Sequence, residues 1–299
     1  MTRPVIMLTG AGGQLGFELA TLLAAHGEVV ASDVGTLDLT DPDAIVSAVR
    51  ALRPTIIVNP AAYTAVDLAE KEATLAHAIN GRAPGVIAEE ARKLGAVLIH
   101  YSTDYVFDGT STVPYAEDAP TGPLNVYGAS KLAGEAAVAA SGAIALTFRT
   151  SWVYGMRGKN FLLTMRRLAA ERDELKVVAD QTGTPNWCRE LAQATARIVA
   201  MGPAAMAERA GLYHMSATGC TTWFGFARAI IGEGGGTRVL PQATTDYPTP
   251  ARRPAYGVLD TRRFERSFGF GLSPWHDTLV RCMASAPELS PDGDSISAD

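Results

Sequence analysis

The sequence predicts an α/β fold: a doubly wound parallel sheet with helices on both faces, followed by a smaller, irregular C-terminal lobe. Three observations predict it. Short, wholly apolar runs alternate with longer amphipathic stretches through the first half of the chain, as strands alternate with crossover helices in a parallel sheet. The first apolar run ends in a cluster of glycines, Gly10, Gly12, Gly13 and Gly16. After Arg149 the alternation loosens, and Gly, Pro and Trp gather around 152–158, 180–187 and 247–256.

Each element can be justified in order. Val5-Ile6-Met7-Leu8-Thr9 is β-rich and apolar throughout, as expected of a strand buried on both faces. Residues 14–26 carry Leu15, Leu19, Leu22 and Leu23 on one helical face. A strand at 29–31, a helix at 42–52 and a strand at 56–58 follow. A long helix is expected over 74–94, then a strand at 97–99, a helix at 127–140 and a strand at 143–148. Beyond these, 187–201 reads as a helix and 211–216 as a strand, both able to return to the main sheet. The last residues, from about 286, are polar with Pro, Ser and Asp, and are expected to be disordered.

With 299 residues the chain suits one large α/β unit or two lobes sharing a core. A net charge of −5 argues against nucleic acid as the main partner, because phosphate binding wants a basic face. No run approaches the roughly 20 apolar residues of a membrane span, and the first apolar run, ending at Thr9, is too short for a signal peptide. Cys188, Cys220 and Cys282 have no zinc-like spacing and read as free thiols of a reducing cytoplasm.

Gly10, Gly13 and Gly16 form a G-x-x-G-x-x-G turn between the first strand and the first helix. Glycines there let the backbone approach a pyrophosphate, and the helix N-terminus supplies N–H groups and positive potential. The context makes this a dinucleotide site in a Rossmann-type fold, with the backbone at Gly10 and Gly13 against the cofactor. Asp33 ends the second strand, where a carboxylate accepts from ribose hydroxyls, and no arginine follows it for a 2′-phosphate. That leans towards NAD over NADP. Asp38 and Leu39 lie where adenine would sit, although Asp38 equally suits a turn before Asp41-Pro42. The expected division is 1–152 for the dinucleotide, with 186–216 returning to it, and 153–185 with 217–285 for the substrate.

Tyr127 and Lys131 stand four apart on a predicted helix, and so on one face. An ammonium beside a phenol stabilises the phenolate and lowers the phenol pKa. Such a pair can exchange a proton with a carbonyl or alcohol oxygen while hydride moves to or from nicotinamide. Ser102-Thr103-Asp104-Tyr105 follows the strand at 97–99, at the carboxyl edge where ligands bind. Thr103 can donate to the oxygen that gains charge, and Asp104 can contact a polar substrate.

With these segments in view, the chain resembles the extended short-chain dehydrogenases/reductases and, within them, the dTDP-4-dehydrorhamnose reductase family. The segments are Gly10–Gly16, 37–40, 58–67, 101–109, Tyr127-Gly128-Ala129-Ser130-Lys131, 149–155, 180–185 and Arg252-Arg253-Pro254. The resemblance spans about 4–285. It implies reduction of the C4 ketone of dTDP-4-dehydro-β-L-rhamnose to dTDP-L-rhamnose by NADPH or NADH, in cell-surface polysaccharide biosynthesis in the cytoplasm. It implies that Tyr127 gives the proton, that Lys131 holds the nicotinamide ribose, and that Thr103 polarises the carbonyl. Thr103, Asp104 and Trp152 would contact the sugar nucleotide; Ala62, Tyr63 and Thr64 would join Gly13, Gln14, Leu15, Asp38 and Leu39 on the cofactor. The family often has Ala at Pro60 and His at Tyr63. In some members a magnesium ion bridges two subunits of a homodimer through glutamates. Glu18 and Glu190 stand at the matching places but equally suit solvated helix faces, so no metal is assigned.

Two other readings share these residues. A sugar-nucleotide epimerase has the same turn and Tyr–Lys pair and consumes no cofactor. A non-catalytic NADP-binding regulatory subunit has the same fold, but here no member of the Thr103, Tyr127, Lys131 set is missing. Tyr105 stands where related dehydratases carry an acid, which argues against elimination.

Overall fold

A computed structural model describes residues 3–232 and 236–285. The polar tail from 286 lies outside the described residues. Six parallel strands form the main sheet: β1 (Val5–Leu8), β2 (Glu28–Ala31), β3 (Ile56–Asn59), β4 (Val97–Thr103), β5 (Ile144–Thr150) and β6 (Gly211–His214). Their spatial order is β2-β1-β3-β4-β5-β6, so the chain changes direction across the sheet between β1 and β3. Ligands of open α/β sheets bind at the carboxyl ends of strands beside such a switch.

Side-chain alternation explains why β1 and the first three residues of β3 and β4 are apolar at every position. Ile6, Leu8, Ile56, Val58, Val97 and Ile99 face one core with Leu15, Leu19 and Leu23 of α1 (Gln14–Leu23). Met7, Ile57 and Leu98 face the other, against Ile45 and Val49 of α2 (Pro42–Leu52) and Ile87, Ala88 and Ala91 of α3 (Ala83–Leu94). A strand covered on both faces needs apolar residues at both parities. Helix α2 has the bounds its sequence predicts. Asp41 caps it by accepting from the Asp43 and Ala44 amides at 2.9 and 3.3 Å, and Pro42 needs no donor in the first turn.

The helix expected over 74–94 is not continuous. Ala73–His77 is α-helical, Ala78–Arg82 is a π turn, and α3 begins at Ala83. Pro84 is the cause: it has no N–H for the Asn80 carbonyl four residues back, and its ring crowds that carbonyl. The Asn80 carbonyl lies where any side chain at Gly134 would be, 2.1 Å from an added Cβ. Helix α4 (Val126–Ala140) can therefore pack closely on this turn.

The C-terminal part interleaves with the sheet. Helix α5 (Phe161–Glu171) follows Val153–Tyr154, which pairs in parallel with Asn186–Trp187. Helix α6 (Cys188–Ala200) packs on α1, and β6 then extends the main sheet beside β5. Small two-stranded pairings join Glu174–Val178 to Arg238–Gln242 and Thr182–Gly183 to Thr221–Thr222. Among the described residues no helix is long and apolar enough to cross a membrane. All three cysteines are free, Cys188 and Cys282 buried and Cys220 exposed.

Candidate active site

The glycine turn is shaped by what its glycines touch. Gly10 has φ +61°, and a Cβ there would lie 2.8 Å from the Ala61 Cα. A Cβ at Gly16 would fall 2.0 Å from the Gly10 carbonyl oxygen, so α1 starts tight against the turn. No side chain caps the N-terminus of α1. Its end dipole and first N–H groups are therefore open to an anion.

This turn forms one wall of a cleft of about 1090 Å³. Gly10, Gly13, Gln14, Leu15, Asp38, Leu39, Ala62, Tyr63, Thr64, Tyr127 and Lys131 all line it, with Asp33, Gly158 and Lys159. Asp38 also serves its own turn: it accepts from the Thr40 amide and hydroxyl, both at 2.7 Å, which holds its carboxyl below the usual range. Bare glycine backbone, an uncapped helix start and a cleft of this size fit a dinucleotide.

The loop bearing Ala62, Tyr63 and Thr64 is fastened by a residue that motif reasoning missed. Asn80, buried in the π turn, accepts from the Tyr63 amide at 2.8 Å and donates to the Tyr63 carbonyl at 3.0 Å. Its amide also lies 3.0 Å from the Ser130 hydroxyl, which donates to the Tyr127 carbonyl at 2.8 Å. One side chain thus ties the loop to the helix carrying Tyr127 and Lys131. Pro84 was the available signal, because it breaks the helix where Asn80 stands.

Asn125 starts α4 by accepting from the Gly128 amide at 2.8 Å. A Cβ at Gly128 would lie 2.2 Å from the Tyr105 carbonyl oxygen, which brings the start of α4 against the turn after β4. The Lys131 ammonium donates to the Tyr101 carbonyl at 2.6 Å. Burial pushes Lys131 down to about 8, while the Glu135 carboxylate one turn on supports its charge. Glu135 is itself held by buried Arg149 at 2.7 and 2.9 Å.

Tyr127 differs from the expectation that Lys131 lowers its pKa. Burial dominates and pushes the phenol up to about 12, with the Thr103 hydroxyl opposing and Asp104 adding to the rise. The Lys131 ammonium instead donates to the Tyr101 backbone carbonyl, and burial governs the phenol. The Tyr127 ring stands edge-on to Tyr105, centroids 5.6 Å apart.

The residues expected on the sugar do not line the same cleft. Thr103 donates to an Asp104 oxygen at 3.0 Å and accepts from the Tyr105 amide at 3.2 Å. Asp104 is buried, its second carboxyl oxygen has no partner, and burial pushes it up to about 7. Gly257 closes over that oxygen: an added Cβ would sit 2.5 Å away. Trp152 has φ +42°, rare for a bulky residue, and its indole stacks on Trp223 at 3.5 Å and 9°. Gly183 lies so close to the same indole that a Cβ would be 2.5 Å from it. Nothing local in the sequence marks Trp223 as this partner.

The suggestion of magnesium at Glu18 and Glu190 is not supported. Glu18 pairs with Arg189 at 2.9 Å and one Glu190 oxygen with Arg281 at 3.0 Å, while the other Glu190 oxygen is buried without a partner. Among the described residues no group of three or more His, Cys, Asp or Glu could hold a metal.

Comparison with known proteins identifies the family of the chain. A family profile described as the RmlD substrate binding domain matches residues 4–287. The dTDP-4-dehydrorhamnose reductase of Burkholderia thailandensis is 47% identical over 293 residues, covering 93% of this chain and 97% of that protein. The enzyme of the same name from Escherichia coli K12 is 45% identical, over 93% and 96% of the two chains. The crystal structure of a dTDP-4-dehydrorhamnose reductase from Bacillus anthracis in complex with NADP superposes with a TM-score of 0.89 at 37% identity, over 96% and 100% of the chains. The chain belongs to the dTDP-4-dehydrorhamnose reductase family of extended short-chain dehydrogenases/reductases.

Proposed function

We propose that the chain reduces the C4 ketone of dTDP-4-dehydro-β-L-rhamnose to dTDP-L-rhamnose with a hydride from NADPH or NADH, Tyr127 supplying the proton. The observation that carries it is the meeting of the glycine turn with Tyr127 and Lys131 in one cleft, in a chain of this family. In this proposal 1–152 and 186–216 carry most of the cofactor site and 153–185 with 217–285 most of the sugar-nucleotide site, with Gly158 and Lys159 reaching back into the cofactor cleft. The relative from Bacillus anthracis holds NADP, whereas Asp33 followed by Val34 and Gly35 favours NADH by its chemistry.

Reduced nicotinamide, when bound, supplies the hydride. Tyr127 delivers its phenolic proton to the ketone oxygen as that oxygen gains charge. A phenol held near 12 keeps its proton across the neutral range, yet gives it up to the more basic alkoxide. Lys131 is the cation at that point, anchored by the Tyr101 carbonyl so that its ammonium faces a fixed direction. Thr103 polarises the ketone by turning its hydroxyl away from Asp104, its partner here. Asp104 and Trp152 hold the sugar.

The test is to mix the protein with dTDP-4-dehydro-6-deoxy sugars and follow oxidation of NADH and NADPH separately. Oxidation of either, matched by reduced sugar nucleotide, is expected. Interconversion of sugars with neither consumed would overturn the proposal in favour of an epimerase.

A further inference from the structure

We propose that Lys159 binds the pyrophosphate of the dinucleotide, reaching into the cleft from the segment that precedes α5; this rests on the cofactor reading above. That segment is fastened to the start of α1 by several contacts. The Asn160 amide donates to the Gln14 side-chain oxygen at 2.9 Å and to the Gly155 and Arg157 carbonyls at 2.9 and 3.1 Å. The Asn160 oxygen accepts from the Leu163 amide and so starts α5. Gly158, at φ +73°, crosses 3.4 Å from the Gln14 Cγ, measured from an added Cβ. The Arg157 guanidinium lies 4.1 Å from the Phe17 ring centroid. Together these set Gly158 and Lys159 in the cleft lining with Gly12, Gly13 and Gln14.

The charges in that lining leave Lys159 with a single role. Two cations line the cleft among the described residues, Lys131 and Lys159, and two carboxylates, Asp33 and Asp38. Asp33 accepts from the Gly35 amide, Asp38 from Thr40, and Lys131 is held by the Tyr101 carbonyl. Lys159 is exposed and has no hydrogen-bond or ion-pair partner among the described residues. A pyrophosphate at the start of α1 would meet the helix N-terminus on one side and this uncommitted ammonium on the other. A 2′-phosphate belongs instead beside Asp33, whose carboxylate lies 3.9 Å from an added Cβ at Gly12. The segment bearing Lys159 is fastened at Gln14 through Asn160, which selects the pyrophosphate that both cofactors share.

The experiment is titration of the full chain with NADH, NADPH and ADP-ribose, without sugar substrate, in the wild type, K159M and K159R. K159M should weaken all three roughly tenfold, about the value of one charge-assisted hydrogen bond at an exposed site. It should also flatten the salt dependence of binding, and K159R should stay near the wild type. Unchanged NADH affinity in K159M, or a loss confined to NADPH, would overturn the assignment. A wild type that binds NADH or NADPH yet reduces no 4-keto sugar would sink the proposed reaction while leaving this titration decisive. A wild type that binds neither would overturn both.

Discussion

The cofactor wall of the cleft and the groups assigned to the sugar differ in how far along the chain their parts are drawn from. The glycine turn is mostly local: Gly13 and Gly16 close on Gly10 within one strand, turn and helix, and only Ala61 reaches it from the end of a later strand. The sugar groups are assembled at long range. Asp104 is closed over by Gly257, and Trp152 is wedged between Gly183 and Trp223. A local turn is fixed by backbone sterics, so any dinucleotide enzyme of this fold can reuse it. A site closed by distant loops is fixed by packing, where relatives can diverge and recognise different sugars.

The comparison can be broken first at Asp104, where the largest change in stability is expected. Its carboxyl titrates near 3.8 unfolded and about 7 folded. Between these values the unfolded chain releases the proton and the folded one retains it, so stability falls as pH rises from 4 to 7 and then levels. Three units correspond to about 4 kcal/mol. Asp104→Asn should therefore raise Tm at pH 8, with little effect at pH 4, while weakening turnover. A Tm gain that stayed constant from pH 4 to 8 would contradict the buried-acid assignment.

A smaller effect is expected at Asn80, on the other wall. Asn80→Ala leaves the Tyr63 amide and carbonyl without their partner, at a cost of about 2 kcal/mol in denaturant unfolding. Cofactor affinity should fall by more than kcat, because Ala62–Thr64 line the cleft assigned to the cofactor and lose two hydrogen bonds, whereas the helix carrying Tyr127 loses one, to Ser130. An equal loss in both would show that Asn80 acts through α4 rather than through the loop.

Most of the fold was legible because its signals are local. Apolar runs at both parities announced the buried strands, and Asp41-Pro42 announced the start of α2. The exception is instructive: Pro84 sat inside the predicted helix, and the π turn at Asn80 is its consequence. The glycine turn was legible for the same reason, since Gly10 to Gly16 follow one another between a strand and a helix, whereas Ala62, Tyr63 and Thr64 were implied only by the family resemblance. Trp223, stacked on Trp152, was not legible, because a contact between remote segments leaves no periodicity to read. Lys159 carries no mark in the sequence, because only the fold sets its segment, through Asn160, against Gln14. The raised pKa of Tyr127 was also hidden, since burial is a property of the folded chain rather than of the Tyr–Lys spacing.

Tyr127 links the two regions, lining the cleft assigned to the cofactor while the Thr103 hydroxyl acts on its phenol, and one variant separates them. Tyr127→Phe keeps the ring and its edge contact with Tyr105 but removes the proton. Measured together in that variant, kcat for the 4-keto sugar should fall by about two to four orders of magnitude, the range for general acid catalysis, while NADH and NADPH affinities stay within a few-fold of the wild type. Near-normal turnover with the phenylalanine in place would contradict the assignment of Tyr127 as proton donor.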